Sequence, residues 1–333
     1  MDWQRRELLL GGASTLALAG VAMEAAAAAA GSGASAAGIG AAGADVLKGP
    51  YLDLSTPRGN MLAVARMTAD LDLTKQKTGW YNGFVSGVRA GEPVKDLFGF
   101  AGFGMARLLP HESGTGYRKV LREVGIYYDL KSGEPLEEFL NPYTSEKVRV
   151  VPVANDPFNT TIQEYFPPPP NYGGLNATTP PPKVPLQLPW KKQGDYITLE
   201  RHIHLFYKNA LQPDKWPRES AGPMARVSEF FTYFFRAADM QNSAMTSLNF
   251  HGTWSRITPW LPWMLMGQAP GAVQYNCFMG TTKDLEQVLS RNVLDYCHKN
   301  YAKYFEAPTE WSDDRSLSSL EHYAKTQKPA PVK

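Results

Sequence analysis

Turn signals at regular spacing constrain the fold of this chain more than any other feature of its sequence. From about Tyr51 to Phe166, and again after Asp195, apolar and aromatic runs are separated by clusters of Gly, Pro, Asn and Asp. The clusters recur about every eight to twelve residues, the spacing of antiparallel strands joined by short turns. The pattern predicts a mostly β protein of about nine to eleven strands, folded as an antiparallel barrel or a strongly twisted sheet.

A proline-rich segment separates two β-rich halves. Residues 167–189 hold nine of the 26 prolines of the chain, and proline lacks the N–H that a central strand needs. We therefore expect a long connection or flap between the halves, with a proline-rich recognition ligand as the alternative. Leu186, Leu188 and Trp190 predict that the far end of the segment packs back onto the body of the protein.

One segment has the pattern of a helix packed against the sheet. Thr281 to Asp284 resembles a capping box, and the residues that follow share one helical face: Leu285, Val288, Leu289, Asn292, Val293 and Tyr296. We predict a single β-rich domain over residues 45–307 with this one C-terminal helix. Residues 308–333 are expected to form a polar C-terminal tail on the surface.

The N-terminal residues 1–44 have the pattern of an export signal. Arg5 and Arg6 precede a weakly hydrophobic stretch, and residues 11–44 contain sixteen alanines. Paired arginines ahead of a mild apolar region and small residues predict a twin-arginine signal peptide and spacer, cleaved between residues 30 and 44. The mature protein is then expected in the bacterial periplasm or beyond, with the twin-arginine export machinery as a partner. The alternative is an Ala-rich helix of the fold.

Charge and hydropathy exclude two classes of protein. The 34 basic and 32 acidic residues leave a net charge of +2, whereas a nucleic-acid binder needs a concentrated basic face. The sequence contains no run of about 18 strongly apolar residues, so no membrane span is predicted. The chain is expected to be a soluble protein whose oligomeric state the sequence leaves open.

Two cysteines and the absence of certain motifs limit the chemistry further. Cys277 and Cys297 are too few for a disulfide framework or a four-cysteine zinc site, and pairing with each other or burial as free thiols both remain open. The glycines between Gly99 and Gly104 lack the helix and lysine of a phosphate loop. A nucleotide cofactor is therefore not expected, and the absence of a Gly-x-Ser-x-Gly elbow disfavours a serine hydrolase.

Two spaced sets of residues resemble a known family. The first set is Arg122-Glu123, Tyr127-Tyr128-Asp129, Ser132-Gly133, Asn141-Pro142 and Asn155-Asp156-Pro157-Phe158-Asn159. The second set is Trp260-Leu261-Pro262-Trp263, Met266-Gly267, Pro270-Gly271 and Gly280. Together they resemble the bacterial family called domain of unknown function 1838, over roughly residues 51–307. The resemblance implies one domain despite the prolines and fits exported, soluble members, but it supplies no reaction and no catalytic residue.

The densest polar constellation is a candidate metal site. Glu200, His202 and His204 alternate along one predicted strand, so they project from the same face, and His251 could join them from another strand. Two imidazoles and a carboxylate could hold a divalent metal, the only cofactor that the sequence suggests. In the alternative, the apolar residues of the opposite face form the core and the histidines are solvated.

A second candidate is a set of acid–base residues. Glu123 and Tyr127 would share one strand face, and such a pair could transfer protons in a cofactor-free isomerase or lyase. Asp156 follows a strand and could act as a general acid or base at a barrel mouth. The alternative for Asp156 is a purely structural turn with Pro157.

A cluster of aromatic residues is a candidate ligand pocket, with a plain hydrophobic core as the alternative. Its leading members are Phe231, Tyr233, Phe235, Trp254, Trp260 and Trp263. The sequence therefore favours an exported enzyme, of isomerase, lyase or hydrolase type, that acts on a small hydrophobic or aromatic molecule without a nucleotide. The main alternative is a non-catalytic periplasmic small-molecule-binding protein, and a structural envelope protein is a third.

Overall fold

The turn-separated runs form twelve antiparallel strands in the described part of the chain. The computed structural model describes residues 47–167, 183–313 and 316–332, so the predicted signal peptide and most of the proline-rich segment lie outside the described residues. The strands are β1 (Lys77–Val88), β2 (Lys95–Pro110), β3 (Tyr117–Tyr128), β4 (Glu138–Asn141), β5 (Glu146–Arg149), β6 (Val153–Asn155), β7 (Thr160–Ile162), β8 (Trp190–Gln193), β9 (Tyr196–Lys208), β10 (Met224–Arg236), β11 (His251–Thr258) and β12 (Ala272–Thr282).

Ten of these strands make one large sheet, which is not closed. Their order is β6-β3-β2-β1-β12-β11-β10-β9-β8, with β7 also paired to β3, while β4 and β5 form a separate hairpin. The expectation of a mostly β fold is confirmed, and the barrel alternative is wrong. The edge strands β6, β7 and β8 are only three or four residues long, and the proline-rich connection runs between β7 and β8. Prolines cannot supply the ladder hydrogen bonds that closure would require.

The sheet nevertheless curls strongly. Tyr127 on β3 and Tyr275 on β12 lie three strands apart in the sheet order, about 14 Å in a flat sheet. Their hydroxyl oxygens are 2.9 Å apart, so the sheet bends until side chains of non-adjacent strands meet. We call the concave side, which carries these two tyrosines, the inner face, and the opposite side the outer face.

Glycines let an aromatic ring lie directly on the inner face. A Cβ atom on Gly102 or on Gly125 would come within 2.3 Å of the Tyr81 hydroxyl oxygen. That hydroxyl donates to the carbonyl of Val124 at 3.1 Å. The glycines of β2 and β3 therefore provide room for a buried tyrosine against the backbone.

The helices differ from the single one expected. Among the described residues they are α1 (Pro57–Thr68), α2 (Ala237–Met240), α3 (Arg291–Asn300) and α4 (Ser319–Thr326). The predicted helix is split into a 3₁₀ turn (Leu285–Gln287) capped by Asp284 and helix α3 capped by Ser290. Helix α3 packs on the outer face of β2 and β3 through a buried cluster that includes Phe103, Val124 and Val293.

The sequence pattern did not predict helix α1. Thr56 caps it, Pro57 occupies its first turn, and nine of its twelve residues are buried. A helix buried on most sides lacks the polar stripe that amphipathic analysis detects. Helix α4, within the predicted polar tail, has a complete capping box of Ser318 and Glu321, and it buries Tyr323.

Three further expectations can be compared with the structure. Leu186, Leu188 and Trp190 are buried, so the end of the proline-rich segment does pack onto the body. Cys277 and Cys297 are free, buried thiols, which lie in different clusters on opposite faces of the sheet. Within the described ranges, none of the helices has both the length and the apolar character needed to cross a membrane.

Candidate functional site

A cavity of about 60 Å³ lies on the inner face of the sheet. Strand alternation directs its wall residues inward: Trp254 and Arg256 stand two positions apart on β11, and Tyr275 pairs with Arg256 across the β11–β12 ladder. The aromatic wall consists of Phe100, Tyr127, Trp254, Trp263 and Tyr275. We call this space the Tyr127–Tyr275 cavity.

Helix α4 forms the opposite wall of the cavity. Ser319, Leu320, His322 and Tyr323 all line it. A second cavity of about 40 Å³ lies beside it, and both are lined by Arg256, Leu261, Pro262, Ser319 and Leu320. Leu320 therefore belongs to a partition between two small spaces that both reach Arg256.

The two tyrosine hydroxyls are the central polar groups of the cavity. Tyr127 and Tyr275 are both buried, and their hydroxyl oxygens are 2.9 Å apart. Burial raises the pKa of Tyr127 to about 12, and burial also raises the pKa of Tyr275 well above its usual value. Both hydroxyls therefore keep their protons at neutral pH and act as hydrogen-bond donors or acceptors rather than as bases.

Arg256 is the charged side chain of the cavity wall. Its Nε lies 3.6 Å from Glu229 Oε1, on the neighbouring strand β10, and its guanidinium lies 5.8 Å from the centre of the Tyr275 ring. His322 contributes no second cation near neutral pH, because burial, with help from Lys325, lowers its pKa below the ordinary histidine value.

Glu123 lies behind the cavity wall. Asn155, opposite Glu123 in the β3–β6 ladder, lines the cavity and donates its amide to Glu123 Oε2 at 3.1 Å. The other oxygen, Oε1, has no hydrogen-bond partner among the described residues. Burial raises the pKa of Glu123 to about 8, even though the Asn155 hydrogen bond opposes this. Glu123 is therefore a carboxyl group that can exchange its proton near neutral pH.

Glu123 and Tyr127 lie on the same face of β3, as their spacing predicts, but they do not bond to each other. Gly125 lies between them, and the hydroxyl of Tyr81 occupies the space above it. The geometry therefore does not support direct proton transfer between Glu123 and Tyr127.

Asp156 lies away from the cavity. Its carboxylate forms ion pairs with Arg122, whose Nε lies 3.1 Å away, and with Lys303, whose Nζ lies 2.7 Å away. The peptide bond from Asp156 to Pro157 is cis. These partners favour the structural alternative, in which Asp156 joins a turn to the segment that follows α3.

The four predicted metal ligands do not converge. His202, His204 and His251 are exposed on the outer face, and Glu200 is half-buried beside Lys191, 3.1 Å from its Nζ. His204 Nδ1 lies 3.0 Å from the Ser228 hydroxyl. His251 pairs with Phe234, whereas His202 pairs with Phe230 on the other edge of β10; two strands and four positions separate them by about 16 Å. The described ranges contain no group of three His, Cys, Asp or Glu side chains suited to a metal ion.

The predicted aromatic pocket is divided between core and cavity. Phe231, Tyr233 and Phe235 stack along β10 with ring centres 6.2 and 6.3 Å apart, and all three are buried core. Trp254 and Trp263 line the Tyr127–Tyr275 cavity, and Trp260 lines the second one.

The sequence analysis missed several residues of the cavity: Phe100, Arg256, Tyr275, Leu320, His322 and Tyr323. Two of them carried a usable signal. Arg256 stands two positions from Trp254, so strand alternation alone places both on one face. Tyr275 stands in a run of alternating apolar residues with Val273 and Cys277. The α4 residues carried no such signal, because their role depends on where the tail returns to the sheet.

Comparison with protein families finds a match. A family model described as "Protein of unknown function (DUF1838)" covers residues 74–327, from just before β1 to the end of α4. The search of curated proteins finds no match.

Proposed function

Since the chain belongs to the DUF1838 family of proteins of unknown function, we propose a function from the cavity itself: the protein binds a small hydrophobic or aromatic molecule in the Tyr127–Tyr275 cavity. The observation that carries the proposal is a cavity walled mostly by aromatic and aliphatic side chains, with a few polar groups that converge on it. This composition is typical of small-molecule sites.

The size of the cavity makes α4 part of the binding event. A dry protein cavity of about 150 Å³ is known to admit benzene, whereas this cavity measures about 60 Å³. An aromatic ligand would therefore need space now taken by Leu320 and Tyr323, or access to the second cavity beyond the Leu320 partition. Displacement of a single eight-residue helix is the smallest rearrangement that provides this space.

Leu320→Ala tests this proposal. Removal of the Leu320 side chain should merge the two cavities and strengthen the binding of at least one of three one-ring probes, toluene, benzaldehyde and benzoate, by about tenfold. Isothermal titration calorimetry on the full mature protein measures the affinity for each probe. Leu317→Ala is the matched control, because Leu317 lines neither cavity. Failure of all three probes to bind, in the wild type and in both variants, would contradict the proposed function.

An enzyme that acts on the bound molecule is a second candidate function, and Glu123 is the observation that favours it. Its raised pKa and the unpartnered Oε1 are properties of a general acid or base. Because Asn155 separates Glu123 from the cavity, an isomerase or lyase would need the Asn155 side chain to rotate away during turnover. Hydrolysis would in addition need a water molecule beside Glu123.

We also propose that the protein works in the bacterial periplasm or beyond, after export by the twin-arginine machinery. Arg5-Arg6 ahead of the Ala-rich segment supports this, and the net charge of +2 supports a small molecule rather than a nucleic acid as partner. The double substitution Arg5→Lys, Arg6→Lys should hold the uncleaved chain in the cytoplasm, as cell fractionation and the molecular mass of the product would report. Unchanged export would contradict the assignment.

A further inference from the structure

The Tyr127–Tyr275 pair has one more proton than its own hydrogen bond uses. Each hydroxyl carries a single donor proton, and the bond between the two oxygens consumes only one of the two. The described residues show no acceptor for the remaining hydroxyl proton at this end of the cavity.

A second donor on the same wall is also unused. Trp254 borders the cavity, and its indole Nε1 is buried without a hydrogen-bond partner among the described residues. Arg256, which lies two residues further along β11 and borders the same space, carries only N–H donors. Tyr127 and Tyr275, together with Trp254 and Arg256, therefore place four side chains with donor groups on this wall.

Apart from Asn155, Ser319 and His322, most of the rest of the wall is apolar. Phe100, Trp263, Leu261, Val153 and Leu320 surround the donors. A purely hydrocarbon ligand would fill the space but would leave the remaining tyrosine proton and the Trp254 indole N–H unpaired, which costs free energy. A ligand that brings an oxygen to these groups removes this cost, since the oxygen accepts their hydrogen bonds.

We propose that the ligand of this cavity is a small apolar molecule that carries one acceptor oxygen, a carbonyl or a carboxylate, held by the Tyr127–Tyr275 hydroxyls beside Arg256. The proposal rests on the proposed function, because it names the class of ligand for the same cavity. The apolar body of the ligand contacts the aromatic wall and α4.

Three probes of the same ring size separate this proposal from simple apolar binding. Benzaldehyde has a neutral acceptor, benzoate has an anionic one, and toluene has none. We expect benzaldehyde, benzoate or both to bind at least about tenfold more tightly than toluene, in the wild type and in Leu320→Ala, as measured by calorimetry. The tighter of the two identifies the neutral or the anionic form of the acceptor.

The tyrosine pair gives a test with a distinctive pattern. The single variants Tyr127→Phe and Tyr275→Phe each leave one hydroxyl whose proton is free to donate, so the preference for an acceptor should persist. The double variant removes both hydroxyls and should bring benzaldehyde and toluene to within about threefold of each other. Tyr81→Phe is the control, since Tyr81 is a buried tyrosine of the inner face that donates to Val124 outside the cavity.

The possible outcomes are distinct. Toluene binding as tightly as both oxygen-bearing probes overturns this inference and leaves the proposed function standing. Failure of every probe to bind overturns both. The ranking of the probes in the wild type needs no variant, so it decides the question even if the double variant does not fold.

Discussion

At the scale of single residues, the buried carboxyl of Glu123 is the group most sensitive to its surroundings. Burial raises its pKa to about 8, and Glu229 acts in the same direction, while Asn155, Lys119 and Arg256 act against it. Lys119 nearby shows the corresponding effect for a cation, since burial lowers its pKa to about 7. Glu123 and Lys119 therefore both titrate close to neutral pH in the interior of the protein.

The pH dependence of stability tests the state of Glu123. An unfolded glutamate ionises near pH 4.3, so between about pH 4.5 and 8 the folded protein binds the extra proton. The free energy of unfolding then falls as the pH rises, by on the order of 1 kcal/mol per pH unit at most. Glu123→Gln removes this pH-dependent loss of stability and keeps a side-chain oxygen that can accept the Asn155 hydrogen bond.

We therefore expect the difference in melting temperature between Glu123→Gln and the wild type (variant minus wild type) to increase from pH 5 to pH 8. Above pH 8 this difference should level off. Glu200→Gln is the control, because Glu200 lies half-exposed on the outer face. A melting-temperature difference that stays constant across this pH range would contradict the raised pKa of Glu123.

At the scale of secondary-structure elements, helix α1 shows how a single side chain can organise a loop. The guanidinium of Arg66 is fully buried and donates to four backbone carbonyls in and after α2, those of Asp239, Met240, Asn242 and Met245, at 2.8 to 3.0 Å. Only a planar group with several donors can satisfy carbonyls on different sides at once.

Arg66→Lys should consequently destabilise the protein by about 2–4 kcal/mol, because a lysine leaves buried carbonyls unpaired. The midpoint of urea unfolding measures the change. Arg58→Lys, at the start of the same helix and exposed to solvent beside Glu164, should change stability by less than about 0.5 kcal/mol. Equal effects of the two substitutions would show that the four hydrogen bonds of Arg66 contribute little.

Strand β9 shows how far an element can be predicted from its own sequence. Its sequence shows a polar face and an apolar face as alternating residues, but alternation alone does not determine which face points inward. Burial of Ile197, Leu199, Ile203 and Leu205 gains about 1.5–3 kcal/mol for each side chain, whereas burial of His202 and His204 would require partners for their polar atoms. The core alternative in the sequence analysis was therefore the physically favoured one, and the histidines are exposed.

At the scale of the whole molecule, the curl of the sheet creates the site. Tyr127 and Tyr275 come from strands that do not pair with each other, and their contact depends on the summed twist of β3, β2, β1 and β12. No local sequence pattern predicts this accumulated twist. Helix α4 then closes the inner face with residues far from the sheet in sequence, so the part of the site that it contributes was invisible in advance.

The sequence by itself determined the β class, the antiparallel turns and the face on which most strand residues lie, because these follow from a two-residue period and from local turn chemistry. It also determined that Glu123 and Tyr127 share a face. The open sheet, the contact of Tyr127 with Tyr275 beside Arg256, and the position of α4 against them are established only by the tertiary fold. These features depend on accumulated strand twist and on contacts between distant segments, for which the sequence carries no local signal.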